Sequence, residues 1–279
     1  MNEFERALWR FAFSAVEFIG GGYEIPIEKR RLGKIFRCNR TGQGYFDRVV
    51  PRGRGVVMRP AAISPEPIST TVWIPAGDTT LEGELIAPSG ATGVVLFAHG
   101  SGSSRHSPRN RYVAEVIRDG GMGTLLFDLL TRDEEAVDNY TRRLRFVISL
   151  LAARLTAAAE WLVESYPTKA FNVGFFGAST GAGAALVSAA NLGDKIRAVV
   201  SRGGRPDLAG GSLPLVKAPV LLIVGGLDHV VIELNQEAYA KLTCEKELKI
   251  VPGATHLFEE AGTLKTVALL ASDWFSRFL

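Results

Sequence analysis

Asn172-Val173-Gly174-Phe175-Phe176-Gly177-Ala178-Ser179-Thr180-Gly181-Ala182-Gly183-Ala184-Ala185-Leu186 is the stretch that decides the fold. An apolar run of strand length stops at Gly177-Ala178-Ser179-Thr180-Gly181, and an alanine-rich helical run begins at once. The expected local structure is strand, sharp turn and helix, with a serine at the apex. Such a turn strains the serine backbone and crowds the positions two before and two after it, where glycine alone fits. Gly-x-Ser-x-Gly is unspecific by itself in a chain with 30 glycines, so the flanking strand and helix give the motif its meaning. A neutral hydroxyl is a poor nucleophile, and Ser179 therefore needs a base, an acid to orient that base, and donors for a developing oxyanion.

Outward from this turn, strand-like apolar runs recur at 70–74, 81–86, 93–98, 124–128, 172–176, 197–201, 219–224 and 247–251. Helical stretches at 109–118, 147–164, 181–191, 232–240 and 263–279 separate most of the later ones. Alternation of this kind predicts an α/β fold: an eight-stranded, mostly parallel sheet flanked by helices. In the helix near Val147, the residues Leu151, Leu155, Ala158 and Leu162 form one apolar stripe, expected to lie on the sheet.

Open α/β sheets bind ligands beyond the carboxyl ends of their strands. There the sequence carries His99-Gly100-Ser101-Gly102-Ser103-Ser104-Arg105 after the third run, Ser179 after the fifth, Gly225-Gly226-Leu227-Asp228-His229 after the seventh and Pro252-Gly253-Ala254-Thr255-His256 after the eighth. Of the four histidines, His99 reads as a structural histidine bonding the loop backbone, His106 as solvated, and His229 as pointing away from its neighbour Asp228. His256 is left as base, and Asp228 as acid, with Asp128 second and Asp207 and Glu233 as further alternatives. The serine–acid–histidine order, with a Gly-rich turn upstream, resembles the α/β-hydrolase superfamily. Residues 69–279 resemble its dienelactone hydrolase branch, at all four turns. The resemblance implies a serine hydrolase of the esterase kind, with Ser179 as nucleophile, His256 as base and Asp228 as its orienting acid. The oxyanion is then expected on the backbone N–H groups of Thr180 and Ser101. Dienelactone hydrolases proper use cysteine where this chain has Ser179, so their lactone specificity is not carried over with the fold.

The expected substrate is a small-molecule ester of a short or medium acid. Lactone, thioester or peptide hydrolysis on the same triad is an alternative, as is a non-catalytic binding protein that keeps the scaffold. Arg105, Arg202 and Arg205 lie on the same sheet edge and are candidates to grip a substrate carboxylate, or else to pair with acids that fix the loops.

Composition narrows the remainder. Hydrophobic residues make up 47% of the 279, enough for a substantial core, and the formal net charge is only +3. Residues 1–67 hold 12 Lys/Arg against 7 Asp/Glu, an excess that reads as solvated surface in the absence of a nucleic-acid motif. Cys38 and Cys244 stand in unrelated contexts, both expected as free thiols; no metal and no cofactor are expected. The acids in Met1-Asn2-Glu3-Phe4-Glu5-Arg6 argue against a secretory leader, and no apolar run reaches spanning length. A cytoplasmic protein without stable membrane insertion is the expectation. Residues 1–67 read as an N-terminal extension, an amphipathic helix over 4–19 followed by an irregular basic segment, and 68–279 as the α/β-hydrolase domain. The short link between the sixth and seventh strands leaves the site open. The extension is therefore expected to cover the site or to join two subunits as a homodimer.

Overall fold

The computed structural model describes residues 67–165 and 171–279, together with the backbone of two earlier strands, β1 (Lys34–Cys38) and β2 (Gly44–Arg48). The chain divides into two compact units, Met1–Ala61 and Ala62–Leu279. In the first, β1 and β2 pair antiparallel, with Phe36 opposite Phe46. The helix expected over 4–19 lies outside the described residues.

The second unit is an α/β fold. Its strands are β3 (Ile68–Ala76), β4 (Thr79–Ala87), β5 (Gly93–Ala98), β6 (Gly123–Phe127), β7 (Asn172–Ala178), β8 (Ile196–Arg202), β9 (Val220–Gly225) and β10 (Lys246–Val251). They form one sheet in the order β10-β9-β8-β7-β5-β6-β4-β3. All its pairings are parallel except those of β4, which runs antiparallel to both β3 and β6. The chain leaves β5 in one direction to make β6 and returns on the other side to make β7. The strand order thus reverses between β5 and β7, where a crevice opens at the carboxyl ends.

The central strands are apolar at most positions because both faces are covered, with Thr124, Ser201 and Arg202 as buried polar exceptions. Leu96, Phe175, Val199 and Leu222 look toward one layer, where α3 (Ile148–Glu164) and α4 (Thr180–Leu192) bring Leu155 and Leu186. Their neighbours Phe97, Phe176, Val200 and Ile223 look the other way, toward α1 (Pro108–Asp119) and α6 (Thr263–Phe278), which supply Ile117, Val267 and Phe275. In α3 the stripe Leu151, Leu155, Ala158 and Leu162 is buried, at the 4-3-4 spacing of one helical face.

One helix was not foreseen: α2 (Arg132–Thr141), between β6 and α3. It has no apolar stripe, and Asp138 is its only buried residue. Its start is nevertheless written in Thr131-Arg132-Asp133-Glu134. The Thr131 hydroxyl accepts from Glu134 N at 3.2 Å and the Glu134 carboxylate accepts from Thr131 N at 2.8 Å, a reciprocal cap. Glu134 also meets Arg154 of α3 through two hydrogen bonds of 2.5 Å, and Arg154 donates to Leu129 O at 2.7 Å. The Arg154 hydrogen bonds, above all, hold the Glu134 carboxyl below the usual carboxylate range.

Candidate active site

Ser179 closes the β7–α4 turn with φ 50° and ψ −122°, a backbone region that non-glycine residues rarely occupy. Close approach explains the glycines around it. A Cβ on Gly177 would stand 2.5 Å from Ala182 Cα, and one on Gly181 would stand 2.1 Å from Ala98 O. Strand β7, helix α4 and the end of β5 are thus pressed together at one point. The N–H of Ser179 donates to Arg202 O at 3.3 Å, and Ser179 O accepts from Arg205 N at 3.0 Å, so the loop after β8 grips the turn from the other side.

The upstream turn meets the same point. Ser101 Oγ and the buried Thr180 Oγ1 share a hydrogen bond of 3.0 Å. Among the described residues, the backbone N–H groups of Ser101 and Thr180 have no hydrogen-bond partner. Thr180 is the first residue of α4, where helix N–H groups are unpaired and the dipole favours negative charge. His99 fixes this turn. Its Nε2 accepts from Leu129 N at 3.1 Å, which leaves Nδ1 to donate to Gly100 O at 3.1 Å. Part of the ring reaches the surface, but both nitrogens are consumed by backbone groups, and burial pushes its pKa down.

Asp228 and His256 come together from the ends of β9 and β10, with His256 Nδ1 and Asp228 Oδ2 2.6 Å apart. The histidine is more open than the acid, their side chains being 39% and 16% exposed. Thr255 braces the loop by donating to Glu260 from its N–H (3.1 Å) and its hydroxyl (2.6 Å). Asn235 of α5 (His229–Lys241), fully buried, donates to Gly204 O at 3.0 Å, tying the helix that follows Asp228 to the loop that grips Ser179. That loop also touches the histidine: a Cβ on Gly203 would lie 3.1 Å from His256 O and 3.6 Å from His256 Cε1. Ser179 and His256 therefore flank the same loop. Among the described residues no hydrogen bond joins their side chains.

The other acids and histidines are placed elsewhere. Asp128 accepts from Arg105 through its backbone N–H at 2.7 Å and pairs with the Arg105 guanidinium. His229 and Glu233 are exposed, and His106 lies on the surface with Arg111.

The three arginines divide. Arg105 is engaged by Asp128 and by Glu82 at 2.7 Å. Arg205 makes a two-point pair with Asp207, at 2.8 and 2.7 Å, which raises its pKa. Both are spent on internal carboxylates. Arg202 is buried over the Phe258 ring, 5.9 Å from its centroid, with no carboxylate partner among the described residues. Burial first, and repulsion from Arg109 second, push its pKa down to about 10. It faces the α1/α6 side of the sheet, by the same alternation that sends Val200 there.

Two residues of the site escaped sequence reasoning. Arg145 and Asp138 line the cleft that also contains Ser101 and Thr180. Their signal in the sequence was the Thr131/Glu134 capping pair that starts α2, passed over because that helix has no apolar periodicity.

The family model for the dienelactone hydrolase family matches residues 81–278. The chain belongs to the dienelactone hydrolase family. A dienelactone hydrolase from Anabaena variabilis is 58% identical and superposes with a TM-score of 0.75, over 76% of this chain and 99% of that one. An esterase from Pyrococcus furiosus, 20% identical, shares the fold with a TM-score of 0.60, over 76% of this chain and 91% of its own. Among curated relatives, a Mycobacterium tuberculosis protein named "Putative phosphoribosyl transferase" is 57% identical over 215 residues, 77% of this chain. The chain spans about half the length of that relative, 48%. Among the described residues no helix is long and apolar enough to cross a membrane, and no cluster of metal-binding side chains occurs.

Proposed function

We propose that the protein is a serine-dependent carboxylesterase that cleaves short to medium acyl esters through an acyl-enzyme. The observation that carries this reading is the 2.6 Å Asp228–His256 hydrogen bond, set on the same sheet edge as a serine held at positive φ. The Asp228 contact fixes the proton on His256 Nδ1 and leaves Nε2 free to act as base. Ser179 Oγ attacks the ester carbonyl as its proton passes to Nε2. The C–O π pair moves onto oxygen, where the unpaired N–H groups of Thr180 and Ser101 can receive it. Collapse expels the alcohol, which takes the proton from His256. Water, deprotonated by the same imidazole, then attacks the acyl-serine, releases the acid and returns the proton to Ser179.

The name of the Mycobacterium tuberculosis relative belongs to a protein about twice the length of the matched stretch. Phosphoribosyl transfer is not proposed for this chain, because the shared stretch covers most of the dienelactone hydrolase match. Because this chain has Ser179 where the family's eponymous enzymes use cysteine, their lactone specificity is not carried over to it.

Ser179→Ala is expected to lower kcat for p-nitrophenyl butyrate by at least about a thousandfold, with an unchanged circular dichroism spectrum. Retained turnover in a folded variant would contradict the assignment.

A further inference from the structure

The cleft beside the oxyanion turn is small, about 20 Å³, and is lined by Ser101, Gly102, Thr180, Arg145 and the carboxylates of Asp128, Glu135 and Asp138. Arg145 sits in a single 3-10 turn, Leu144–Phe146, just after α2. Its guanidinium is held with unusual care for a residue on a connection. The buried Asp138 carboxylate accepts from Arg145 Nε at 2.5 Å and from the backbone N–H groups of Leu144 and Arg145 at 2.7 and 3.3 Å. Arg145 Nη2 donates to Asp138 O at 3.2 Å and to Asn139 Oδ1 at 3.4 Å. Burial of Asp138 works against its charge, but these donors outweigh it and hold its carboxyl below the usual range. The pair is therefore ionised and fixed.

Arg145 Nη1 is left over. Among the described residues it has no acceptor, although the side chain is only 16% exposed. A Cβ on Gly102 would lie 3.0 Å from it. Its N–H groups therefore stand against the oxyanion turn, in the cleft that Thr180 also lines. Nη1 is not one of the fully buried donors that lack a partner, so it reaches solvent, where an acceptor brought by a ligand can take the place of water.

Charge narrows what that acceptor can be. Asp138 already balances Arg145 and Arg105 balances Asp128, while Glu135 adds a third carboxylate to the same cleft, with no ion-pair partner among the described residues. A substrate carboxylate would meet net repulsion, whereas an ether, keto or hydroxyl oxygen would not. We propose that Arg145 is a specificity-determining residue of the Ser179 site, whose free guanidinium edge selects acyl groups carrying a neutral acceptor oxygen beyond the ester carbonyl. This rests on the esterase reading above and adds the substrate class to it.

The test compares p-nitrophenyl methoxyacetate, butyrate and hemisuccinate, each kcat/KM divided by that ester's own hydroxide rate to remove its intrinsic reactivity. The wild-type chain is expected to favour methoxyacetate over butyrate by about tenfold, the worth of one good hydrogen bond, and to cleave hemisuccinate least. Arg145→Met should bring the methoxyacetate-to-butyrate ratio close to one. If that variant does not fold, the double variant Asp138→Asn/Arg145→Met removes both charges together and makes the same measurement. Glu135→Gln should raise hemisuccinate relative to butyrate. A wild-type ratio near one, a ratio unmoved by either arginine variant, or hemisuccinate as the favoured ester would overturn the proposal. Ser179-dependent cleavage combined with any of these leaves the esterase reading standing, whereas no Ser179-dependent cleavage of any ester overturns both.

Discussion

At the scale of single residues, the side chains of this site divide into those open to the crevice and those that hold them. His99 belongs to the second kind, since both ring nitrogens are used by backbone groups of the turn carrying Ser101. Burial lowers its pKa, so the folded state keeps this ring neutral at a pH where the unfolded chain takes up a proton. Its contribution is whole above the ordinary histidine pKa of about 6.5 and shrinks as pH falls below it. Wild-type stability in urea should therefore fall between pH 7 and pH 5, His99 adding no more than about 1.4 kcal/mol per pH unit, the limit for one proton. His99→Gln, which can still accept from Leu129 N, should show a shallower fall. Equal slopes would show that His99 is not the responsible group. The arginines teach a related lesson. The sequence left Arg105 and Arg205 open between gripping a substrate carboxylate and pairing with acids that fix the loops, because their place after β5 and β8 does not reveal partners. Asp128 and Glu82 take one and Asp207 takes the other, and Glu82 comes from β4, far away in the sequence.

At the scale of elements, legibility followed apolar periodicity. Every strand of the large sheet, and the helices against it, announce themselves by runs such as Val94–Phe97 or by the Leu151–Leu162 stripe. The segment α2 was missed for the opposite reason. Its charged positions pair with residues outside the helix, Arg132 with Glu82, Glu134 with Arg154 and Asp138 with Arg145, and the only strong cue was the Thr131/Glu134 capping pair. Since that segment also delivers Arg145, the part of the cleft most relevant to selectivity was the part least visible. The Gly177–Gly181 turn was legible because its demand is steric and local. Gly181→Ala puts a methyl group 2.1 Å from Ala98 O and 2.6 Å from His99 O, both backbone atoms that cannot rotate aside. A loss of about 3 kcal/mol is expected, a fall in Tm of roughly 6–12 °C for a domain of this size. Differential scanning calorimetry checks it, and an unchanged Tm would mean that β5 and α4 are not in contact there.

On the scale of the whole molecule, the sheet brings together residues that the chain keeps far apart. The four turns after β5, β7, β9 and β10 lie on one edge because their strands run parallel, and the reversal of strand order between β5 and β7 opens the crevice at Ser179. The sequence carried this convergence in its order of serine, aspartate and histidine. It could not carry the 202–205 loop as the link between Ser179 and His256, since that link is made by backbone hydrogen bonds and by glycines. The central claim is that Ser179, His256 and Asp228 act as one proton-relaying unit. Its most direct test is intact-mass analysis of the full chain after exposure to a fluorophosphonate. The account predicts one adduct, mapped to Ser179 by peptide sequencing, absent in Ser179→Ala and formed at least about a hundredfold more slowly in His256→Ala. A wild-type chain that takes up no label, or a His256→Ala variant labelled at the wild-type rate, would contradict it.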